Sequence, residues 1–127
     1  MNQGLVFGHR VMRIEVAQVS GPVCVDPADG GRLGEVVTQT LERGESVLLD
    51  FTGVTILTSS FLNAAIGFLF GTFSAEDLAR RLQWCGLDST DESLIRLVQS
   101  NAIRYFSATE SQRERLAESG MLPFHNA

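Results

Sequence analysis

VLLDFTGVTILTSSFLNAAIGFLFGT, Val47 to Thr72, is the stretch on which the fold turns. Val47 to Phe51 is apolar on both faces apart from Asp50, as a strand in the middle of a covered sheet must be. Thr52-Gly53 is turn chemistry. A short apolar spacer leads to Thr58-Ser59-Ser60, where a very apolar helix starts and runs from Ser60 to about Gly71. Hydroxyls at the end of a central strand lie where α/β folds place function. They also lie where any helix takes a Ser cap. Asp50 reads as a carboxylate that accepts from the turn amides at Thr52 and Gly53 rather than as a catalytic acid, since no His or Lys is near it in sequence.

On a helical wheel of ~100° per residue, Phe61, Leu62, Ala64, Ala65, Ile66, Phe68, Leu69, Phe70 and a trailing Phe73 cover an arc of about 240°. Ser60, Asn63, Gly67 and Gly71 fill the remaining stripe. One sheet face cannot cover so wide an arc. Either neighbouring helices cover the flanks or part of the helix meets a partner chain.

Working outward toward the N-terminus, Asp26-Pro27 starts a helix, with Asp as N-cap and Pro at the first helical position. Leu33, Val36, Val37 and Leu41 mark its apolar face, and Gly44 follows its end near Arg43. Gly30, Gly31 and Gly34 fit no phosphate-loop pattern, so they read as a soft start or a place of close packing. Val11 to Ala17 alternates with Met12, Ile14 and Val16 on one face, which predicts a strand. Ser20-Gly21-Pro22 predicts a turn, and Val23 to Val25 a second strand hairpin-paired with the first. Leu5 to Phe7 is a candidate edge strand.

Toward the C-terminus, Ser74 to Ala79 reads as a short helix or a turn with Ser74 as its cap, and Arg81 to Cys85 as a fourth strand in which Trp84 packs on the core or edge. Ser89 with Glu92 forms a capping box. The helix it opens, Asp91 to Phe106, has Leu94, Leu97, Val98, Ala102, Tyr105 and Phe106 on one face. Ser107 with Glu110 opens a polar helix to Ser119, ended by Gly120. Met121, Leu122 and Phe124 form a small apolar tail. The expected order is β-β-α-β-α-β-α plus a C-terminal helix, in a single α/β domain over 1–127 with its core at about 11–106.

The chain has 127 residues and is 44% hydrophobic, enough for one real core. Its 15 acids against 10 bases give a net charge of −5, which argues against nucleic acid and anionic membrane as partners. The N-terminus lacks signal-peptide order, and no apolar run approaches the ~20 residues of a membrane span. The expected location is the cytoplasm, with Cys24 and Cys85 as buried free thiols. His9 and His125 sit near opposite ends without metal-ligand spacing. No nucleophile elbow, zinc motif or Walker motif occurs. The expectation is therefore no catalytic residue, no metal and no cofactor. A phosphate on Ser59 or Ser60 would be tolerated at a helix N-terminus and would add up to about −2 charge to the surface there. Plain capping, worth ~1 kcal/mol, is the simpler role.

Leu48 to Val54, then Thr58 to Gly67 (TSSFLNAAIG), and the run DESLIRLVQSNAIRY from Asp91 to Tyr105 resemble the STAS-like domain of unknown function, a bacterial relative of anti-sigma factor antagonist (STAS) domains. The resemblance covers roughly Asp26 to Phe106. It implies a mixed sheet of about four strands with helices mainly on one side, and a non-enzymatic, protein-binding role. In such antagonists a serine at the start of this helix is phosphorylated by a partner that is both a histidine-kinase-like ATPase and an anti-sigma factor. That serine falls on Ser59, with Ser60 as a substitute. Thr58 stands where the antagonists carry Asp, and Phe61 where they carry Gly.

The first expectation is thus a regulatory module that binds a protein partner through Thr58, Ser59, Ser60, Phe61, Asn63, Ala64, Gly67, Phe68 and Gly71. A second is a structural homodimer that buries the same helix without a switch. A third is a small-molecule or nucleotide sensor using the crevice near Asp26 to Arg32 and Thr58 to Ser60.

Overall fold

The computed structural model describes residues 10–108 and 114–115. The elements are β1 (Val11–Glu15), α1 (Val16–Ser20), β2 (Val23–Cys24), α2 (Pro27–Glu42), β3 (Ser46–Asp50) and β4 (Ile56–Leu57), then α3 (Ser59–Ala65), a 3-10 segment (Gly67–Gly71), α4 (Ala75–Arg81), β5 (Leu82–Cys85) and α5 (Ser89–Ser107). Strand β3 is central in a three-stranded sheet of order β1-β3-β5, and β2 pairs with β4 in a second, two-stranded sheet. Every pairing is parallel. The mixed sheet implied by the resemblance is therefore corrected to two small parallel sheets within an α/β fold.

The register shows which face of the larger sheet carries the core. Ile14 sits opposite Leu49, Val47 opposite Leu82, and Leu49 opposite Trp84. Ile14, Val47, Leu49 and Leu82 are buried and Trp84 is half-buried against them, so this face carries the core. Side chains alternate along a strand. The other face therefore presents Arg13, Leu48, Gln83 and Cys85. Arg13, Gln83 and Cys85 are exposed. Cys24 and Cys85 are both free thiols, but only Cys24 is buried, so the expectation of a buried Cys85 is corrected. Cys85 falls on the uncovered side of its edge strand.

Several boundaries differ from the sequence reading, each for a physical reason. The first strand stops at Glu15, and Val16 enters the core from α1. An alternating pattern cannot mark that change, because Val16 is buried either way. Strand β2 does not form a hairpin with β1: the turn at Gly21 is the end of α1, where the Gly21 amide donates to the Ala17 carbonyl at 3.0 Å. The apolar spacer contains β4, the partner of β2. Asp88, not Ser89, caps α5 by accepting from the Asp91 amide at 2.8 Å. On α5 Ile95 is buried and Leu97 is 56% exposed, so the expected face is turned by part of a turn.

Other local readings hold. Asp26 caps α2 with Pro27 first, and Ser74 caps α4. The expected edge strand at Leu5 to Phe7, both histidines, Glu110 and the tail at Met121 to Phe124 lie outside the described residues. The helix expected to open at Ser107 does not start there: Ser107 is the last residue of α5, its hydroxyl donating to the Ile103 carbonyl at 2.5 Å, and Ala108 is the C-cap. Further along that expected helix Glu114 and Arg115 are described, and both are helical.

Candidate functional site

The apolar helix that organises the chain is two pieces. Helix α3 ends at Ala65, Ile66 leaves helical geometry at φ −127° and ψ −25°, and the 3-10 segment continues to Gly71. Gly67 and Gly71 favour the break, since Gly is the weakest ordinary helix former. A wheel drawn for one continuous helix therefore misplaces the residues after Ile66. Gly67 is buried and Phe68 is 39% exposed, the reverse of the expected stripes.

The rest of the apolar arc is covered from within the chain. Phe61, Leu62, Ala65, Ile66, Leu69 and Phe70 are all buried. Burying a side chain such as Phe61 or Leu62 contributes about 1.5–3 kcal/mol. Helix α2 covers one flank of α3 in the largest contact between any two elements, and α5 packs on the other side. The α2 contact depends on glycine. A Cβ on Gly30 would stand 2.3 Å from the Phe61 carbonyl oxygen, and one on Gly34 would stand 2.9 Å from the Ala64 and Ala65 carbonyl oxygens. These glycines are thus the site of close packing that the sequence suggested, and their smallness serves a helix seam rather than a ligand.

At the start of α3 the cap is Thr58. Its hydroxyl accepts from the Phe61 amide at 3.3 Å, and its amide donates to the Cys24 carbonyl at 3.1 Å, which ties the cap to β2. Ser59 and Ser60 occupy the first two helical positions. Both are exposed, and neither hydroxyl bonds another described residue. The serines are therefore not the cap that the sequence suggests. Asn63 and Ala64 are half-buried, and Gly71 is exposed. Of the expected partner-facing set, the structure brings Thr58, Ser59, Ser60, Asn63, Ala64, Phe68 and Gly71 to full or partial exposure. Phe61 and Gly67 point inward and belong to the core.

Beside this rim lies a patch that the sequence reading missed. Val23 and Ile56 are register partners in the small sheet, and they are 45% and 51% exposed. Val25 continues the same face, two residues on from Val23, and is also exposed. The signal is the β-branched pair at spacing two, which reads equally well as half of a hairpin.

Asp50 lies at the carboxyl end of β3 with its side chain 4% exposed. Arg13 Nε donates to its Oδ2 at 3.0 Å, and the guanidinium Nη2 makes a second bond to the same oxygen. The Thr52 amide donates to Oδ1 at 3.0 Å. Arg13 first, and Thr52 after it, hold the carboxyl well below the usual carboxylate range. A carboxylate so fixed as an anion closes the turn through the Thr52 amide, one of the two amides expected, takes Arg13 as a partner the sequence did not suggest, and has no proton to give at neutral pH. Burial pushes the Cys24 thiol up, away from the reactive thiolate. Among the described residues, no group of three or more His, Cys, Asp or Glu is placed to hold a metal ion. No described helix is long and apolar enough to cross a membrane.

Residues 33–92 match the family model of the STAS-like domain of unknown function. The match begins inside α2, contains the whole stretch 47–72, and ends in the first turns of α5. No curated protein and no solved structure matches the chain.

Proposed function

We propose, from a chain whose residues 33–92 are a STAS-like domain, that it acts as a non-enzymatic regulatory module that binds a protein partner at the rim of α3. The partner is a histidine-kinase-like ATPase or anti-sigma factor, and Ser59 or Ser60 is the residue it phosphorylates. The observation that carries this reading is the division of labour at the helix start: Thr58 supplies the cap, so both serine hydroxyls stand exposed with no structural role to perform. A phosphate on either would not cost the helix its cap. It would meet the N-terminal amides of α3 and change the surface charge by up to about −2. Thr58 in place of Asp is compatible with the role, because Thr caps a helix nearly as well.

The partner face in this reading is the rim of exposed Ser59, Ser60, Phe68 and Gly71 with half-buried Thr58, Asn63 and Ala64 among them. Phe61 supports it from below. A homodimer built on the apolar side of α3 loses its motive, because α2 and α5 already cover that side. The nucleotide-sensor reading likewise loses the glycines that would have cradled a phosphate.

The test is incubation of the full chain with a histidine-kinase-like ATPase from the same genome and ATP, followed by intact mass and peptide mapping. One added phosphate on Ser59 or Ser60, abolished by the Ser59→Ala/Ser60→Ala double variant, is expected. No added phosphate, or phosphate only elsewhere, overturns the switch. Failure of the unphosphorylated chain to bind the same ATPase overturns the choice of partner.

A further inference from the structure

Beside the α2 seam, with Gly34 at its edge, lies a groove of about 390 Å³ between α2 and the end of α3 with the 3-10 segment. Gly31, Glu35, Thr38 and Glu42 line its α2 wall at spacings of four, three and four, which places them on one helical face. Phe68 and Thr72 stand on the other wall, with Ala64 and Leu69 behind them. Nothing would meet a Cβ on Gly31 within 4 Å, so the groove is open there. At 1.5 Å of rise per residue, the α2 wall runs roughly 16 Å, about three helical turns.

The charges in the groove are uncompensated. Glu35 and Glu42 are exposed, and neither forms an ion pair with a described residue. Among the described residues, no Arg or Lys lines the groove. The two nearest cations in sequence are directed elsewhere, Arg32 to Asp29 and Arg43 to Glu45. An exposed aromatic on one wall, facing a wall with two carboxylates that pair with no described residue, suits an apolar anchor flanked by cations. Both walls are helical, so the groove offers no strand edge. An extended segment would leave its backbone unpaired there, whereas a helix brings its own hydrogen bonds.

We infer that this groove receives an amphipathic helix of a partner protein, with an apolar face against Phe68 and Arg or Lys beside Glu35 and Glu42. The assignment shares Ala64 and Phe68 with the proposed partner face and stands without any serine switch.

The test uses unphosphorylated full-length protein and no kinase, so its failure is distinct from failure of the switch. The probe is a synthetic helical peptide of roughly five turns, Leu along one face and Arg on both flanks, labelled for fluorescence anisotropy. A control peptide carries Glu in place of Arg. The Arg peptide should bind and the Glu peptide should not. Glu35→Lys/Glu42→Lys should raise the Kd for the Arg peptide at least about tenfold and admit the Glu peptide. Gly31→Gln fills the groove at a position with open space, and should abolish binding while circular dichroism and Tm stay native or rise. Phe68→Ser should also weaken binding at least about tenfold.

No binding of the Arg peptide, equal binding of the two peptides, or a Kd unchanged by Gly31→Gln overturns the inference. So does a dimer in solution that Phe68→Ser dissociates, which would make a second copy the occupant. Tighter peptide binding by Arg113→Glu/Arg115→Glu would assign the groove to this chain's own C-terminal segment and overturn it too.

Discussion

Helix α2 meets its neighbours in two ways along its length. In its first half Gly30 and Gly34 lie against the backbone carbonyls of α3 with no room for a methyl group. In its second half Thr38 and Glu42 stand off from Phe68 and Thr72, and a groove remains. The difference is one of residue size. Glycine lets two backbones touch, and a backbone cannot swing aside as a side chain can. One helix is thus closed where it builds the core and open where it meets solvent, and total apolar content does not distinguish the two halves.

The largest effect is expected where the contact is closest. Gly30→Ala improves helix propensity by about 1 kcal/mol, yet it forces a methyl into the Phe61 carbonyl. A net destabilisation of about 3 kcal/mol is expected from overpacking against backbone, read as a fall in Tm by calorimetry. A Tm at or above that of the native chain would mean the seam is not closed.

Second in size is Asp50→Asn, a buried polar contact remote from the seam. Its carboxyl is depressed in the folded state by Arg13 and Thr52. The stabilisation it brings is therefore fully present above the unfolded carboxylate pKa of about 3.9, and is lost as pH falls below that toward the depressed value. The Tm gap between native and Asp50→Asn chains should be wide at pH 7 and narrow progressively below about pH 4. A gap independent of pH would show that the charge contributes nothing.

At the rim the effects shrink. Thr58→Ala should cost about 1 kcal/mol, the worth of an N-cap. Ser59→Ala and Ser60→Ala should each stay within about 0.5 kcal/mol, as exposed positions without partners do. Urea denaturation separates these outcomes, and equal losses at all three positions would return the capping role to the serines. The smallest shift has the opposite sign. Gly31→Ala, next to Gly30 but facing open space, should stabilise by about 0.5–1 kcal/mol. Opposite signs at adjacent glycines are the sharpest form of the contrast along α2.

Much of the architecture was legible in the residues because its causes are local. Asp26-Pro27 announces α2, Ser74 announces α4, and the run at Val47 to Phe51 could only be a central strand. The caps at Thr58 and Asp88 were misread because a serine stands next to each; the other misread elements needed partners distant in sequence. The β2-β4 pairing joins residues more than thirty positions apart, so Val23 to Val25 looked like half of a hairpin. Arg13 reaches Asp50 across 37 positions, and neither residue points to the other in sequence. The break at Ile66 is foreshadowed by Gly67, but only packing shows that it turns Phe68 outward.

By itself, then, the sequence determined an α/β chain whose residues 33–92 match the STAS-like domain of unknown function, with a strand, a turn and a serine-headed apolar helix at their centre. Strand burial, capping and glycine spacing are written in neighbouring residues. Only the tertiary structure decided what surrounds that helix. Its apolar arc is sealed by α2 and α5, and its open surface is reduced to two serines, a rim and Phe68 beside an acidic groove. The physical reason is that exposure belongs to packing between distant elements, and no single segment carries it.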